Sequence, residues 1–363
     1  MNLRTPGPTP MPERVAAALS QPMINHRGPE FADLLQEVTA NLQAAFQTTN
    51  DLFLLTSSGT GGLEAAVVNT FSPGDRLLAV VIGNFGERFA TIAQRFGCDV
   101  QTLVFKSGEA ADPAAVAARL AADPAIKGVL ITHNETSTGV TNDLEALAAV
   151  VRQAGPLLLV DGVSSVGSIE IKTDAWGIDV LVSASQKGWM VPPGIAMISV
   201  SPRAWEANAA ARLPRYYWDL ALAKKEAARG QTPWTPGITI VYGLREGLRL
   251  MRAEGFDAVY AKHRRIGAYT RAAIKDLGLR LVPVDERRAS DTVTAFYLPE
   301  GTEEKVFLEQ LRARYGVVLA GGQGELVGKI ARIGHMGMVD EADIDDVIKA
   351  IRQTLAAPAT AAS

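Results

Sequence analysis

The residues most able to do chemistry lie at the ends of short apolar runs. Val180-Leu181-Val182-Ser183-Ala184-Ser185-Gln186 leads directly into Lys187, and Gly188, Trp189, Met190 and Val191-Pro192-Pro193-Gly194 follow. A lysine among apolar and small residues is costly to keep charged, which lowers its pKa and favours a nucleophilic amine. Such an amine can form an imine with an aldehyde cofactor. On its own, the same lysine also fits a strand-end side chain reaching out to water. Asp161 closes the run Leu157-Leu158-Leu159-Val160 and precedes Gly162-Val163-Ser164-Ser165, one strand–helix–strand interval before the lysine. A carboxylate there can pair with a protonated pyridine nitrogen and keep such a ring an electron sink; a helix cap or turn aspartate is the simpler use.

A third group, Thr56-Ser57-Ser58-Gly59-Thr60-Gly61-Gly62, opens a helix predicted over 63–69. Small residues let backbone N–H groups approach an anion, and a helix start adds positive potential. The hydroxyls of Ser58 and Thr60 can add hydrogen bonds to a phosphate. The segment lacks the Walker lysine, so it does not point to a nucleoside triphosphate.

Elements of a definite kind must position these groups. Apolar runs at 77–82, 129–132, 157–160, 180–183 and 195–200 are continuous rather than alternating, which predicts strands covered on both faces. Helical patterns at 113–122 and 144–154 fall between them, so the fold class is α/β with a mostly parallel sheet. Active residues in such sheets gather at the carboxyl ends of the strands. Residues 1–12, rich in Pro, Gly and Thr, predict an extended arm, and 30–46 predicts an amphipathic helix. The stretch 202–236 reads as irregular, and 242–277 as one long amphipathic segment. Strand-like 292–298 and 329–333 with helix-like 303–315 and 341–355 suggest a small α+β domain. The expected division is an arm over 1–20, a large domain over 21–253 and a small C-terminal domain over 254–363, with Ala357-Pro358-Ala359-Thr360-Ala361-Ala362-Ser363 frayed.

Bulk properties narrow the function classes. In 363 residues, 47% are hydrophobic and 21% charged, as in an ordinary globular protein large enough for two domains. A net charge of −3 argues against a general nucleic-acid binder. One cysteine, Cys98, gives no intramolecular disulfide and fits a reducing compartment. With no secretory apolar core and no run near the roughly 20 residues of a membrane span, the expected location is the cytoplasm, without a membrane partner.

Taken in order, Ser58-Gly59-Thr60, His133-Asn134-Glu135-Thr136-Ser137-Thr138-Gly139, Val160-Asp161-Gly162-Val163-Ser164-Ser165 and Ser185-Gln186-Lys187 resemble the class V aminotransferases, and among them the alanine–glyoxylate and serine–glyoxylate (serine–pyruvate) group. The likeness runs from Pro6-Gly7-Pro8 to Arg332-Ile333-Gly334. It departs at Thr60, where some relatives carry histidine, while 26–31 is more like the bacterial and plant branches than the animal one.

The resemblance implies a fold-type-I enzyme with a mostly parallel seven-stranded sheet, using pyridoxal 5′-phosphate, as a homodimer with shared active sites. It implies Lys187 as the Schiff-base lysine and Asp161 as partner of the pyridine nitrogen. Val163 and Phe85 would cover the two ring faces. Ser58, Gly59, Thr60 and Gln186 would hold the phosphate, Thr235 would reach the phosphate of the neighbouring subunit, and Thr136 would approach the phenolic oxygen. Arg332 would grip the substrate carboxylate, since its fork suits that geometry, helped by backbone near Gly7. Pocket residues are expected around Trp189, Trp234 and Arg332, and His133 is expected to be structural. The implied reaction moves an amino group from a small amino acid, alanine or serine, to glyoxylate or pyruvate by ping-pong kinetics. Alternatives are 2-aminoethylphosphonate, ureidoglycine or aspartate as donor, a lyase or desulfurase on the same cofactor, or a non-catalytic scaffold. A desulfurase needs a mobile cysteine late in the chain, and Cys98 precedes Lys187.

Overall fold

Seven strands form the central sheet of the computed structural model, which describes residues 1–356; the expected frayed tail, 357–363, lies outside the described residues. In chain order they are β1 (Asp51–Ser57), β2 (Arg76–Val81), β3 (Asp99–Val104), β4 (Gly128–Thr132), β5 (Leu157–Asp161), β6 (Val180–Ala184) and β7 (Gly194–Val200). Their spatial order is β1-β7-β6-β5-β4-β2-β3, and β7 alone runs against its two neighbours.

Alternation along each strand sends apolar side chains to opposite faces. Leu78, Val80, Val129, Ile131, Leu158 and Val160 pack with the helices Pro29–Phe46, Leu144–Ala154 and Ile238–Glu254. Leu77, Ala79, Leu130, Leu159, Val180 and Val182 pack on the other side with the helices Gly59–Thr70 and Asn84–Arg95. Both faces are therefore dry, which is why the strands read as unbroken apolar runs.

Parallel strands need crossovers, so their carboxyl ends collect on one edge. Asp161 is the last residue of β5, Lys187 follows β6 by a short turn, and β1 and β2 run into the helices Gly59–Thr70 and Asn84–Arg95.

A second, three-stranded antiparallel sheet has the order β8-β10-β9, with β8 at Val293–Tyr297, β9 at Ala320–Gly321 and β10 at Ile330–Gly334. The helices Phe256–Asp276, Glu304–Tyr315 and Glu341–Ala356 cover it through Ile266, Ile274, Phe307, Leu311 and Val347. The N-terminal arm reaches this region: Asn2–Leu3 pairs in parallel with Val317–Val318. Arg4, buried, forms an ion pair with Asp343 at 2.7 Å.

Two expectations need correction. The segment 242–277 is not one helix but two, Ile238–Glu254 and Phe256–Asp276, broken at Gly255, whose φ of 89° suits glycine. The stretch 202–236 is not wholly irregular. It contains the helices Pro202–Ala210, capped by the Ser201 hydroxyl, and Leu220–Ala227, capped by Asp219. Among the described residues, no helix is long and apolar enough to cross a membrane.

Candidate active site

The turn that presents Lys187 is fixed from below. Trp189, fully buried, donates its indole N–H to the Ser183 hydroxyl at 2.9 Å and stacks on Phe46 with ring centroids 6.0 Å apart. The Ser185 hydroxyl donates to the Pro192 carbonyl at 2.6 Å, and Met190 N–H donates to the Lys187 carbonyl at 3.0 Å. Trp189 therefore anchors the turn instead of lining a pocket, contrary to expectation. Trp234 lies farther out, stacked on Tyr217 at 5.8 Å.

From above, the arm closes over the lysine. The Lys187 amine donates to the Pro6 carbonyl. Thr9 donates its N–H to the Gln186 carbonyl at 3.1 Å and its hydroxyl to the Lys187 carbonyl at 3.0 Å. Gly7 has φ of +127°, and a Cβ there would lie 2.8 Å from the Lys187 Nζ. Glycine is needed both for the backbone and for the space.

Burial sets the electrostatics. Desolvation pushes the Lys187 amine down to about 8, against the charge of Asp161, which favours the ammonium; Arg332 and Arg88 add to the lowering. Asp161 is pushed up to about 6 by burial, partly opposed by the Val163 N–H that its Oδ1 accepts at 2.9 Å. Lys187 and Asp161 thus act on each other's charge in one buried space. Arg332, on β10, is lowered to about 10 by burial, with Glu135 and Glu304 favouring its charged form. Its Nε donates to the Gly321 carbonyl at 2.7 Å and its Nη1 to the Thr136 carbonyl at 2.9 Å. The fork is held in place, and its other N–H groups can meet a carboxylate.

The remaining expected residues stand as follows. Ser58 is the N-cap position of the helix Gly59–Thr70, yet its side chain makes no cap bond. Its hydroxyl and the first-turn N–H groups, which have no acceptor within the helix, can receive an anion. A Cβ on Gly59 would lie 2.7 Å from Val163 Cγ2, so these two residues are in close contact. Gln186 has a buried amide oxygen without a partner. Phe85 stands in the first turn of Asn84–Arg95, with the Arg88 guanidinium 4.7 Å from its ring centroid. Thr235 is exposed, and the nearby Gly237 N–H donates to the Thr56 hydroxyl at 3.3 Å. His133 is held neutral, pushed down to about 4 by burial, as suits a structural role.

Residue-level reasoning missed Glu135 and Asn134. Both lie in a quoted motif, but the partners that give them meaning are far off in sequence. Asn134 donates to the Ser164 hydroxyl at 2.8 Å and the Thr292 hydroxyl at 3.0 Å, joining β5's end to the second sheet.

A lowered amine, a neighbouring carboxylate, an open helix N-terminus and a fixed guanidinium fit a phosphorylated aromatic aldehyde and an amino acid. The family model for "Aminotransferase class-V" matches residues 2–347. The chain is a class V aminotransferase. These enzymes depend on pyridoxal phosphate and exchange an amino group between an amino acid and a 2-oxo acid. The aminotransferase is 40% identical to the L-aspartate–glyoxylate aminotransferase of Paracoccus denitrificans, over 93% of this chain and 86% of that one. It is 43% identical to a soluble hydrogenase 42 kDa subunit of Anabaena cylindrica, over 97% and 92%. Alanine–glyoxylate aminotransferase from Nostoc superposes with a TM-score of 0.94 at 33% identity, over 97% of this aminotransferase and 94% of that chain.

Proposed function

We propose that this class V aminotransferase takes the amino group of alanine or serine and passes it to glyoxylate or pyruvate. The observation that carries the site assignment is the meeting in one buried space of Lys187 and Asp161, from the ends of two strands, and Arg332, from the middle of β10. The alanine–glyoxylate enzyme of Nostoc supports the choice of substrates. The Anabaena relative's name describes a subunit of another enzyme, and one cysteine is too few for an iron–sulfur ligand set.

Bound pyridoxal phosphate supplies an aldehyde and an aromatic ring that accepts the electron pair left at the substrate's Cα. Ser58, Gly59, Thr60 and Gln186 would hold its phosphate. Val163 and Phe85 would flank its ring, and Thr136 would approach its phenolic oxygen. Asp161 would keep a proton on the ring nitrogen. Arg332, with backbone near Gly7, holds the substrate carboxylate, which orients the Cα–H bond. The Lys187 amine would take up the Cα proton and deliver it to C4′, the cofactor's former aldehyde carbon, acting as base and then acid. The arm over Lys187 keeps bulk water from that exchange.

The same reading makes the active enzyme a homodimer, with Thr235 serving the partner's phosphate, in a cytoplasmic setting that suits its lone cysteine. It divides the chain into an arm over 1–20, a large domain over 21–253 and a small domain from 254 onward. A kinetic survey of alanine, serine, glycine and aspartate against glyoxylate, pyruvate and 2-oxoglutarate tests the substrates. Alanine or serine with glyoxylate or pyruvate should give the highest kcat/KM; aspartate as best donor would reject the choice.

A further inference from the structure

The helix Asn84–Arg95 carries Phe85 in its first turn, where N–H groups lack partners within the helix. Its N-cap residue is Gly83, which has no side chain to cap it. The cap comes instead from across the chain. Glu135, wholly buried, accepts from Phe85 N–H at 3.1 Å and from Gly86 N–H at 3.1 Å. It also accepts from Ser137 N–H at 3.1 Å and from the Ser137 hydroxyl at 2.6 Å, while the same hydroxyl oxygen accepts from Asn84 N–H at 3.0 Å. A Cβ on Gly83 would lie 2.6 Å from Glu135 Cγ, so the bare glycine is what lets the carboxylate approach.

Four donors, the N–H groups of Phe85, Gly86 and Ser137 and the Ser137 hydroxyl, converge on the Glu135 oxygens at a helix N-terminus, the favourable end for negative charge; burial pushes its carboxyl up, and these hydrogen bonds oppose that rise. The loop that bears it makes two further ties. Its Thr136 carbonyl accepts from Arg332, and its Asn134 amide donates to the Ser164 hydroxyl, just past Asp161. Charge from Glu135 also reaches both Asp161 and Arg332.

We propose that Glu135 is a positioning residue for the cofactor. By capping Asn84–Arg95 from the loop that also holds Arg332, it fixes the Phe85 ring relative to the substrate-carboxylate site. This rests on the assignment of Phe85 to the cofactor ring.

The test compares Glu135→Gln, Ser137→Ala and Phe85→Ala with the wild-type protein. Two quantities are read: the dissociation constant of pyridoxal phosphate for the apo protein, and the circular dichroism induced in the bound cofactor. An amide in place of the carboxylate turns a donor toward N–H groups. Glu135→Gln should therefore weaken cofactor affinity about tenfold and alter the induced dichroism in the same sense as Phe85→Ala. Lower melting temperature with affinity and dichroism unchanged would reduce Glu135 to a structural cap and overturn the proposal. If Glu135→Gln does not fold, Ser137→Ala decides: a smaller shift in both readouts supports the proposal, and none overturns it. No effect from Phe85→Ala would instead remove the ring assignment, and the proposal with it.

Discussion

Two demands pull the Lys187 amine in opposite directions. Burial favours its neutral form, the Asp161 carboxylate favours its charged form, and burial prevails, leaving it near about 8. The neutral amine is the nucleophile, so the rate at which apo protein captures pyridoxal phosphate should rise with pH through about 8 and then level off. Stopped-flow absorbance across pH 6–11 measures it; a rate still climbing toward the ordinary lysine value of 10.5 would mean the amine is not desolvated as described. Lys187→Ala should lose the bound cofactor's visible absorbance and lower turnover by roughly 10²–10⁴-fold. Arg332 does a different job. Its Nε and Nη1 already serve the Gly321 and Thr136 carbonyls, so Arg332→Lys leaves a part-buried and a buried acceptor poorly served and removes the fork. Steady-state kinetics should show KM for the amino acid raised about tenfold or more, with kcat changed less. Equal loss in kcat with constant KM would contradict a binding role.

At the scale of elements, the arm is the sensitive part. Gly7→Ala forces a side chain into a left-handed backbone position and onto the Lys187 amine. Cofactor capture should slow markedly while the melting temperature of the apo protein moves little, because the strain is confined to the arm; normal capture would show that the arm yields freely. Elements were legible where one physical signal dominated. β4, β5 and β6 are covered on both faces, so their apolar runs stand out. β1 was not singled out, since the four apolar residues Leu52–Leu55 follow closely on the helix Pro29–Phe46 and their period is ambiguous. β3 is an edge strand with half its residues exposed, and its pattern is diluted accordingly. The two helices inside 202–236 carry start signals at Ser201-Pro202 and Asp219, but Trp, Tyr and Pro around them obscured the rest. Gly255 sits in an amphipathic pattern that continues across it, so its break appears only in the backbone. Lys187 and Asp161 could be named as candidates from residue type and position at a strand end, whereas Arg332, in the middle of β10, was named only through the family resemblance. Glu135 could not, because its meaning depends on N–H groups about 50 residues away.

For the whole molecule, exposed aromatic surface lies beside the start of the helix Gly59–Thr70, where a Cβ on Gly61 would lie 2.8 Å from the Trp218 ring. Tyr216 and Tyr217 pack on Trp234, and Tyr216 is 76% exposed. If a second copy covers this surface, as the homodimer reading holds, sedimentation velocity should give a dimer, and Tyr216→Glu should shift it toward monomer with weaker cofactor binding. A fully active monomer would refute shared sites. The arm has its own consequence at this scale. It is tied at one end to Val317–Val318 and at the other to the backbone of Gln186 and Lys187. A protease clip that released only those few residues would leave both sheets intact, so the preparation would look sound on a gel yet emerge from the column colourless.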